Sequence, residues 1–373
     1  MAGIYIHIPF CKKACNYCNF HFSTSTQNSD SFLSALEKEI ELQKDYLKDI
    51  ISTIYIGGGT PSILPSAKIE NILTKINQTF KVDTNAEITL EANPDDISKA
   101  KLQEWKTAGI NRLSIGVQSF FEDDLKWMNR AHTATQAEDC IHLAQSEGFN
   151  NLTIDLIYGT PTLTDENWQQ NVSKAIELGV NHLSCYALTV EPKTALEKMI
   201  SQHKVASVDH ENQAHHFELL MEWMKSAGFE HYEISNFAKA GFRSKHNSSY
   251  WQGKHYLGLG PSAHSYNGTT RQWNVANNAL YIQSIKKNII PFEIEILTQE
   301  QQINEYIMTA LRTVEGISLG KIKNEFGAEI LEKVLSEAKQ YISKEHLEKS
   351  DNFLKTTNSG KLLADGIAAD LFV

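Results

Sequence analysis

IYIHIPFCKKACNYCNF, residues 4–20, runs an apolar, strand-like segment (Ile4–Ile8) directly into a loop that carries Cys11, Cys15 and Cys18. A loop this tight can turn three sulfurs toward one point. Thiolates suit soft metals, either zinc or an iron–sulfur cluster. A structural zinc wants a fourth protein ligand, for which His7 or His21 is available. A cubane cluster usually takes four cysteines, and the remaining Cys140 and Cys185 each stand alone in the chain. With three thiolates only, one iron is left without a protein ligand and open to a small molecule bearing an amine and a carboxylate. Without a metal, the same loop is three reduced, partly buried thiols.

Outward from this loop, short β-branched runs alternate with amphipathic segments. Strands are expected at Ile4–Ile8, Thr53–Ile56, Glu87–Glu91, Arg112–Gly116, Asn151–Ile157 and His182–Leu188. Helices are expected at Ser31–Leu47, Ser66–Phe80, Lys99–Thr107, Thr135–Glu147 and Asp165–Leu178, with apolar residues three and four apart. Six such repeats imply an α/β chain with a parallel sheet and right-handed crossovers. A doubly wound sheet and a partial barrel both fit, and in either one function gathers at the carboxyl ends of the strands. Cys11, Gly57–Thr60, Glu91 and Gln118 follow the first four strands in turn.

Farther along, His210–Ser226 reads as a helix, and Tyr232–Trp273 as an irregular stretch rich in glycine, histidine and aromatics. Helices at Gln299–Arg312, Leu319–Phe326 and Glu329–Tyr341, a hairpin at His346–Lys355 and a last helix at Ser359–Ala369 resemble a winged-helix module. That module lacks a basic recognition face. The whole chain of 373 residues carries a formal charge of −10, which argues against binding nucleic acid mainly through phosphates. Its 41% hydrophobic content excludes global disorder. No run approaches the about 18 apolar residues of a transmembrane helix, and no secretory signal pattern opens the chain, so a cytoplasmic location is expected. Five cysteines over this length are not a disulfide framework. Cys140 and Cys185 read as small buried hydrophobes, and His132, His215, His216 and His346 as surface or hydrogen-bonded groups.

The pattern Cys11-x-x-x-Cys15-x-Tyr17-Cys18 resembles the signature of the radical S-adenosylmethionine (SAM) superfamily. That resemblance implies a [4Fe-4S] cluster on the three cysteines, SAM on the open iron, and a partial (β/α)6 barrel. It also implies one-electron cleavage of SAM to a deoxyadenosyl radical and methionine. The run Gly57-Gly58-Gly59-Thr60-Pro61, taken alone, is as readily a tight turn. Beside the cysteine loop it is similar to the family's glycine-rich element at the SAM amino group, and Glu91 to its acidic residue near the ribose. Tyr5, Gln118, Arg130, Asp155, Ala187 and the run GLGPSAHSY (Gly258–Tyr266) resemble, in order, the branch that contains oxygen-independent coproporphyrinogen III oxidase and its heme-chaperone relatives. On that resemblance Gln118, Arg130 and Asp155 match residues that contact a second SAM, and His264 matches one near the first. Tyr5, Tyr17 and Ala187 belong to the same SAM set.

Two features divide the branch. The oxidase motif continues with a further cysteine where this chain has Phe20, and the oxidase carries an N-terminal extension before its first strand. His246-Asn-Ser-Ser-Tyr250-Trp251, in contrast, resembles the heme-binding motif of the chaperones. Imidazole is a competent axial iron ligand, and aromatic faces can cover a porphyrin. The implied function is a heme chaperone with heme at His246, Tyr250 and Trp251, delivering to an acceptor hemoprotein of respiratory type. Coproporphyrinogen III oxidation is the competing enzyme activity, and a zinc-stabilised binding module the third reading. The implied organisation is a radical SAM barrel over residues 1–230, an extension with the heme segment over 231–297, and an accessory domain over 298–373.

Overall fold

Ile4, Ile6 and Ile8 are completely buried, and so is nearly everything between them, because the first strand lies inside a sheet covered by helices. The computed structural model describes residues 2–373. Strands β1 (Ala2–Ile8), β2 (Ile51–Gly58), β3 (Val82–Ala92), β4 (Arg112–Gln118), β5 (Leu152–Tyr158) and β6 (His182–Ala187) are parallel neighbours in chain order. A doubly wound sheet reverses its strand order at a switch point. Here the order never reverses, so successive right-handed crossovers stack their helices on one face and the sheet curls into a partial barrel. Helices α1 (Ser29–Leu42), α2 (Ser66–Thr79), α3 (Lys99–Thr107), α4 (Glu122–Trp127), α5 (Ala134–Ser146), α6 (Asp165–Glu177), α7 (Ala195–Ser201) and α8 (His210–Ser226) follow along the barrel. The apolar stripes of α1, α2, α3, α5 and α6 merge with the strand residues into one continuous core. Both outlying cysteines are buried, Cys140 on α5 and Cys185 on β6.

The stretch expected to be irregular is largely ordered. It forms β7 (Glu230–Glu233), β8 (Asn236–Ala238), the short helix α9 (Lys245–Trp251), β9 (Tyr256–Leu259), β10 (His264–Tyr266) and β11 (Thr270–Asn274). After α10 (Asn278–Lys286), β12 (Phe292–Ile296) completes a twelve-stranded sheet. The β7–β8 hairpin pairs antiparallel onto β6. At the opposite edge β9 pairs parallel with β1, and β10 to β12 add antiparallel strands. Strands of three to five residues carry too little alternation to register in the sequence, and the barrel edges supply their partners.

The C-terminal part packs around its own core through α11 (Gln299–Leu311), α12 (Leu319–Phe326), α13 (Ala328–Ser343), α14 (Asn358–Lys361) and α15 (Ala364–Asp370). Its three-stranded sheet runs β13 (Ile317–Ser318), β15 (Phe353–Thr356), β14 (Leu347–Lys349). The single closing helix expected at Ser359–Ala369 is two helices, parted at Leu362 and Leu363. Among the described residues, no helix is long and apolar enough to cross a membrane.

Two buried carboxylates tie the extension to the barrel. Glu39 of α1, fully buried, accepts hydrogen bonds from Gly260 N–H (2.7 Å), Asn274 Nδ2 (2.6 Å) and Tyr281 O–H (2.6 Å). Burial raises its pKa and these three donors oppose that rise. Glu87 of β3 accepts the backbone N–H groups of Lys245 and His246, clamping the start of α9 to the sheet. Glu39→Ala leaves the Gly260 N–H and the Tyr281 O–H without an acceptor, and Asn274 Nδ2 with the Gly260 carbonyl alone. The expected loss is about 3 kcal/mol of stability, with Glu39→Gln milder, measured by urea unfolding of the two variants against wild type.

Candidate functional site

The carboxyl ends of the parallel strands open onto a cavity of about 390 Å³. The loop after β1 brings Cys11, Cys15 and Cys18 to its wall. Backbone hydrogen bonds from Cys11 N to Ser23 O (3.0 Å) and from Asn16 N to Met128 O (3.1 Å) hold that loop whatever the thiols do. All three thiols are free and partly exposed. Thr60 Oγ1 donates to Cys11 Sγ and Arg130 Nη1 to Cys15 Sγ, each at 3.4 Å. Burial raises the Cys11 thiol and pushes Cys18 up to about 11, so both need a metal or another cation to ionise near neutral pH. Among the described residues, no three His, Cys, Asp or Glu side chains converge on a single-ion site.

Acidic residues line the same cavity. Glu91 accepts the Gly58 N–H at 3.1 Å, and burial pushes its pKa up to about 7. Asp155 is pushed up to about 6, again by burial, with Arg112 opposing the rise. Arg130 is held by Asn93 Oδ1 (2.8 Å) and Gly116 O (2.7 Å), while its Nε is buried without a partner. At Gly59 a β-carbon would lie 2.7 Å from the Phe10 carbonyl and 3.0 Å from Cys11 Sγ, so only glycine lets the β2 end approach the thiol loop this closely. Gln118 ends β4 with φ of 67°, beside a register shift that turns the chain out of the sheet at the cavity wall.

These donors fit the groups the sequence implies. Three thiols, two of them met by donors, suit a cluster. An unpartnered guanidinium Nε and two proton-poised carboxyls suit a ligand that carries a carboxylate, an ammonium and hydroxyls together. Tyr17, Gly58, Gly59, Thr60, Glu91, Gln118, Arg130, Asp155 and Ala187 all line this cavity. Sequence reasoning missed Asn93, Ser114, Tyr186 and Asn247 there. Asn93 was findable, two residues beyond Glu91 at the same strand end.

Tyr5 and His264, grouped with the SAM residues in the sequence, stand elsewhere. They open onto a second cavity of about 830 Å³, between β1, β9–β11 and the C-terminal helices. Tyr250 and Trp251 line it too. His246 does not. It is 1% exposed and stacks on Tyr55, with Nδ1 at 2.8 Å from Thr53 Oγ1 and Nε2 at 2.8 Å from Tyr250 O–H. In this arrangement both His246 nitrogens are hydrogen-bonded, so meeting an iron would require the ring to release Thr53 or Tyr250. Asn19 and Phe20 border both cavities, and Phe20 is 67% exposed.

Comparison with known proteins agrees with this architecture. The radical SAM superfamily model matches residues 5–175, and the HemN C-terminal domain model residues 297–363. The chain is 36% identical over 372 residues to the heme chaperone HemW of Bacillus subtilis, covering 98% of each chain. It is 34% identical over 375 residues to the heme chaperone HemW of Mycobacterium tuberculosis, covering 99% of this chain and 94% of that one. The solved coproporphyrinogen III oxidase (HemN) of Escherichia coli superposes with a TM-score of 0.87 at 22% identity, covering 100% of this chain and 90% of that one, a likeness of fold. The thiol loop, the curled six-strand sheet and this near full-length similarity together make the chain a member of the radical SAM superfamily and, within it, of the HemW family.

Proposed function

We propose that this protein is a heme chaperone that carries a [4Fe-4S] cluster on Cys11, Cys15 and Cys18, binds SAM in the smaller cavity, and acts in the cytoplasm. Heme would occupy the larger cavity against Tyr250 and Trp251 and pass from there to an acceptor hemoprotein, of respiratory type on this reading. The observation that carries the proposal is the position of α9, which offers Asn247 to the smaller cavity and Tyr250 and Trp251 to the larger, in a chain similar to HemW along its length. When bound, the cluster supplies one-electron transfer to SAM. The chain's own residues would bind and orient it: Arg130, whose Nε has no partner in the protein, would meet the ligand carboxylate, Glu91 its hydroxyls, and Asp155 its polar face. With pKa values near 7 and 6, Glu91 and Asp155 can each donate or accept at neutral pH.

The test is to titrate heme into anaerobically reconstituted protein and follow its transfer to an acceptor apoprotein. Saturable absorption and transfer are expected. Their absence in wild type overturns the proposal. Assay with coproporphyrinogen III, SAM and reductant is expected to give no decarboxylation, and turnover there would restore the oxidase reading.

A further inference from the structure

We propose that Lys361 is an acylation site: its amine takes a short acyl group from an activated donor, an acyl phosphate or an acyl thioester, and the acyl chain lies in a third cavity between the barrel and the C-terminal part.

That cavity, of about 640 Å³, is walled by β5, α8 and the β7–β8 turn on one side and by α13 to α15 on the other. Tyr158, Phe217, Ile234 and Leu362 give it apolar surface, and the Tyr158 and Phe217 rings stack with centroids 6.2 Å apart. Its charged groups are already engaged with one another. Asp365 pairs with Arg312 at 2.7 Å, Asp370 accepts the Tyr341 hydroxyl, and His210 meets Gln213 at 3.2 Å.

Lys361 is the exception. Half-buried on α14, its Nζ lies 3.0 Å from His231 Nδ1 and 3.4 Å from Asn358 Oδ1, and no carboxylate pairs with it among the described residues. His231 Nε2 stands 3.0 Å from the Ile234 carbonyl, which can only accept, so Nε2 carries the hydrogen and Nδ1 the lone pair. The ring stacks on Phe237, with centroids 4.1 Å apart. Burial, and after it the charge of Lys361, lowers His231 to about 3, so the imidazole stays neutral. The amine therefore faces a lone pair and an amide oxygen, neither of which holds a proton on it as a carboxylate does. Burial lowers Lys361 to about 8. At pH 7.5 about a quarter of it is free amine, against about one part in a thousand for an ordinary lysine.

The backbone under the amine is fixed. At Gly360 a β-carbon would lie 1.8 Å from the His346 carbonyl, so α14 sits this close to the start of β14 only because residue 360 is glycine. In the reaction the amine nitrogen bonds to the acyl carbon, and the C–O bond to phosphate or the C–S bond to the thiol breaks. The leaving group departs with the bonding pair, and the nitrogen's surplus proton passes to water. The amide product keeps one N–H, enough to go on donating to His231 Nδ1, and loses the charge that depresses that ring. The Lys361–His231 contact joins the C-terminal part to the β7–β8 hairpin, so acylation changes the charge at this junction while sparing its hydrogen bond.

The experiment incubates the full-length protein with acetyl phosphate or, separately, with acetyl-CoA, and follows acetylation of each lysine by mass spectrometry between pH 7 and 9.5. With at least one donor, Lys361 is expected to react about fivefold or more faster at pH 7.5 than the exposed Lys81 and Lys204. Its rate should level off above pH about 8, while theirs go on rising. Which donor works identifies the acyl source. Asn358→Asp, an exposed substitution that sets a carboxylate beside the amine, is expected to slow Lys361 by about threefold or more and leave Lys81 and Lys204 unchanged. Circular dichroism confirms that the variant is folded. A Lys361 no faster than the exposed lysines with either donor overturns the proposal. An unchanged rate in Asn358→Asp overturns it too, because accessibility alone would then set the reaction.

Discussion

Replacing any one of Cys11, Cys15 or Cys18 by alanine is expected to reduce bound iron from about four atoms per chain to near zero and to remove the broad visible absorption of the reconstituted protein. The loss should be that complete because a cluster already lacking a fourth protein ligand has little left to hold it when a third is removed. The fold should survive. The loop's backbone bonds to Ser23 and Met128 and the Phe10–Ser23 bridge do not involve sulfur, and all three thiols sit at a cavity wall, not in a core. Cys140→Ala and Cys185→Ala are the controls. Both thiols are buried and outside the cavity lining, and burial pushes Cys140 up to about 12, so iron content should not change. Iron and sulfide analysis with electron paramagnetic resonance, before and after adding SAM, checks this. Full iron in a single-cysteine variant, or zinc in the wild type, would remove the cluster from the proposal.

The features legible in the sequence are those with a local signature. The thiol loop, the glycine run after β2 and the buried run Ile4–Ile8 all owe their pattern to near neighbours in the chain. Lys99–Thr107 is a helix with the bounds its periodicity implies, closed at its start by Ser98, whose side chain accepts from Lys101 N–H. α1 stops at Leu42, five residues short of expectation. Tyr46 and Leu47 pack against the core from a turn, and so extend the apolar rhythm beyond the helix. Features set by distant partners left no such trace. Glu39 looks like any acid on an amphipathic helix until Gly260, Asn274 and Tyr281 arrive from more than 200 residues away. His246 sits in a motif that implies a ligand, but whether an imidazole is open depends on Thr53 and Tyr250, and only the folded sheet brings Thr53 near. The division of the expected SAM residues between two cavities likewise follows from β9 pairing onto β1.

Arg112→Met is expected to cost about 3–5 kcal/mol of stability near pH 8, because it removes a buried cation and leaves the buried Asp155 carboxylate unbalanced. Arg112 is 1% exposed on β4 and donates to Thr153 Oγ1. Thr153 in turn meets His182 Nδ1 at 3.1 Å, His182 Nε2 meets Tyr232 O–H at 2.6 Å, and that phenol accepts the N–H of Ser244, the N-cap of α9. One guanidinium therefore begins a chain that crosses β5, β6 and β7 and ends where α9 starts. Its charge opposes the burial-driven rise of Asp155 and, after burial, further depresses His182 and His246. The pH dependence follows from these signs. A carboxyl whose folded pKa lies above its unfolded value stabilises the fold when protonated, and that contribution is lost as pH rises through the folded value. Asp155, at about 6 with Arg112 present, moves higher without it, so its ionisation near pH 8 costs the variant more than wild type. Histidines with depressed pKa values destabilise the fold as pH falls below their unfolded value near 6.5. Removing Arg112 relaxes that depression, which relatively favours the variant in acid. Both effects act in the same direction: the deficit against wild type is largest near pH 8 and falls to less than about half near pH 5.5. Urea unfolding of the two proteins at both pH values measures it, and a deficit that does not change with pH would show that Arg112 holds the barrel through packing alone, with its charge irrelevant to Asp155.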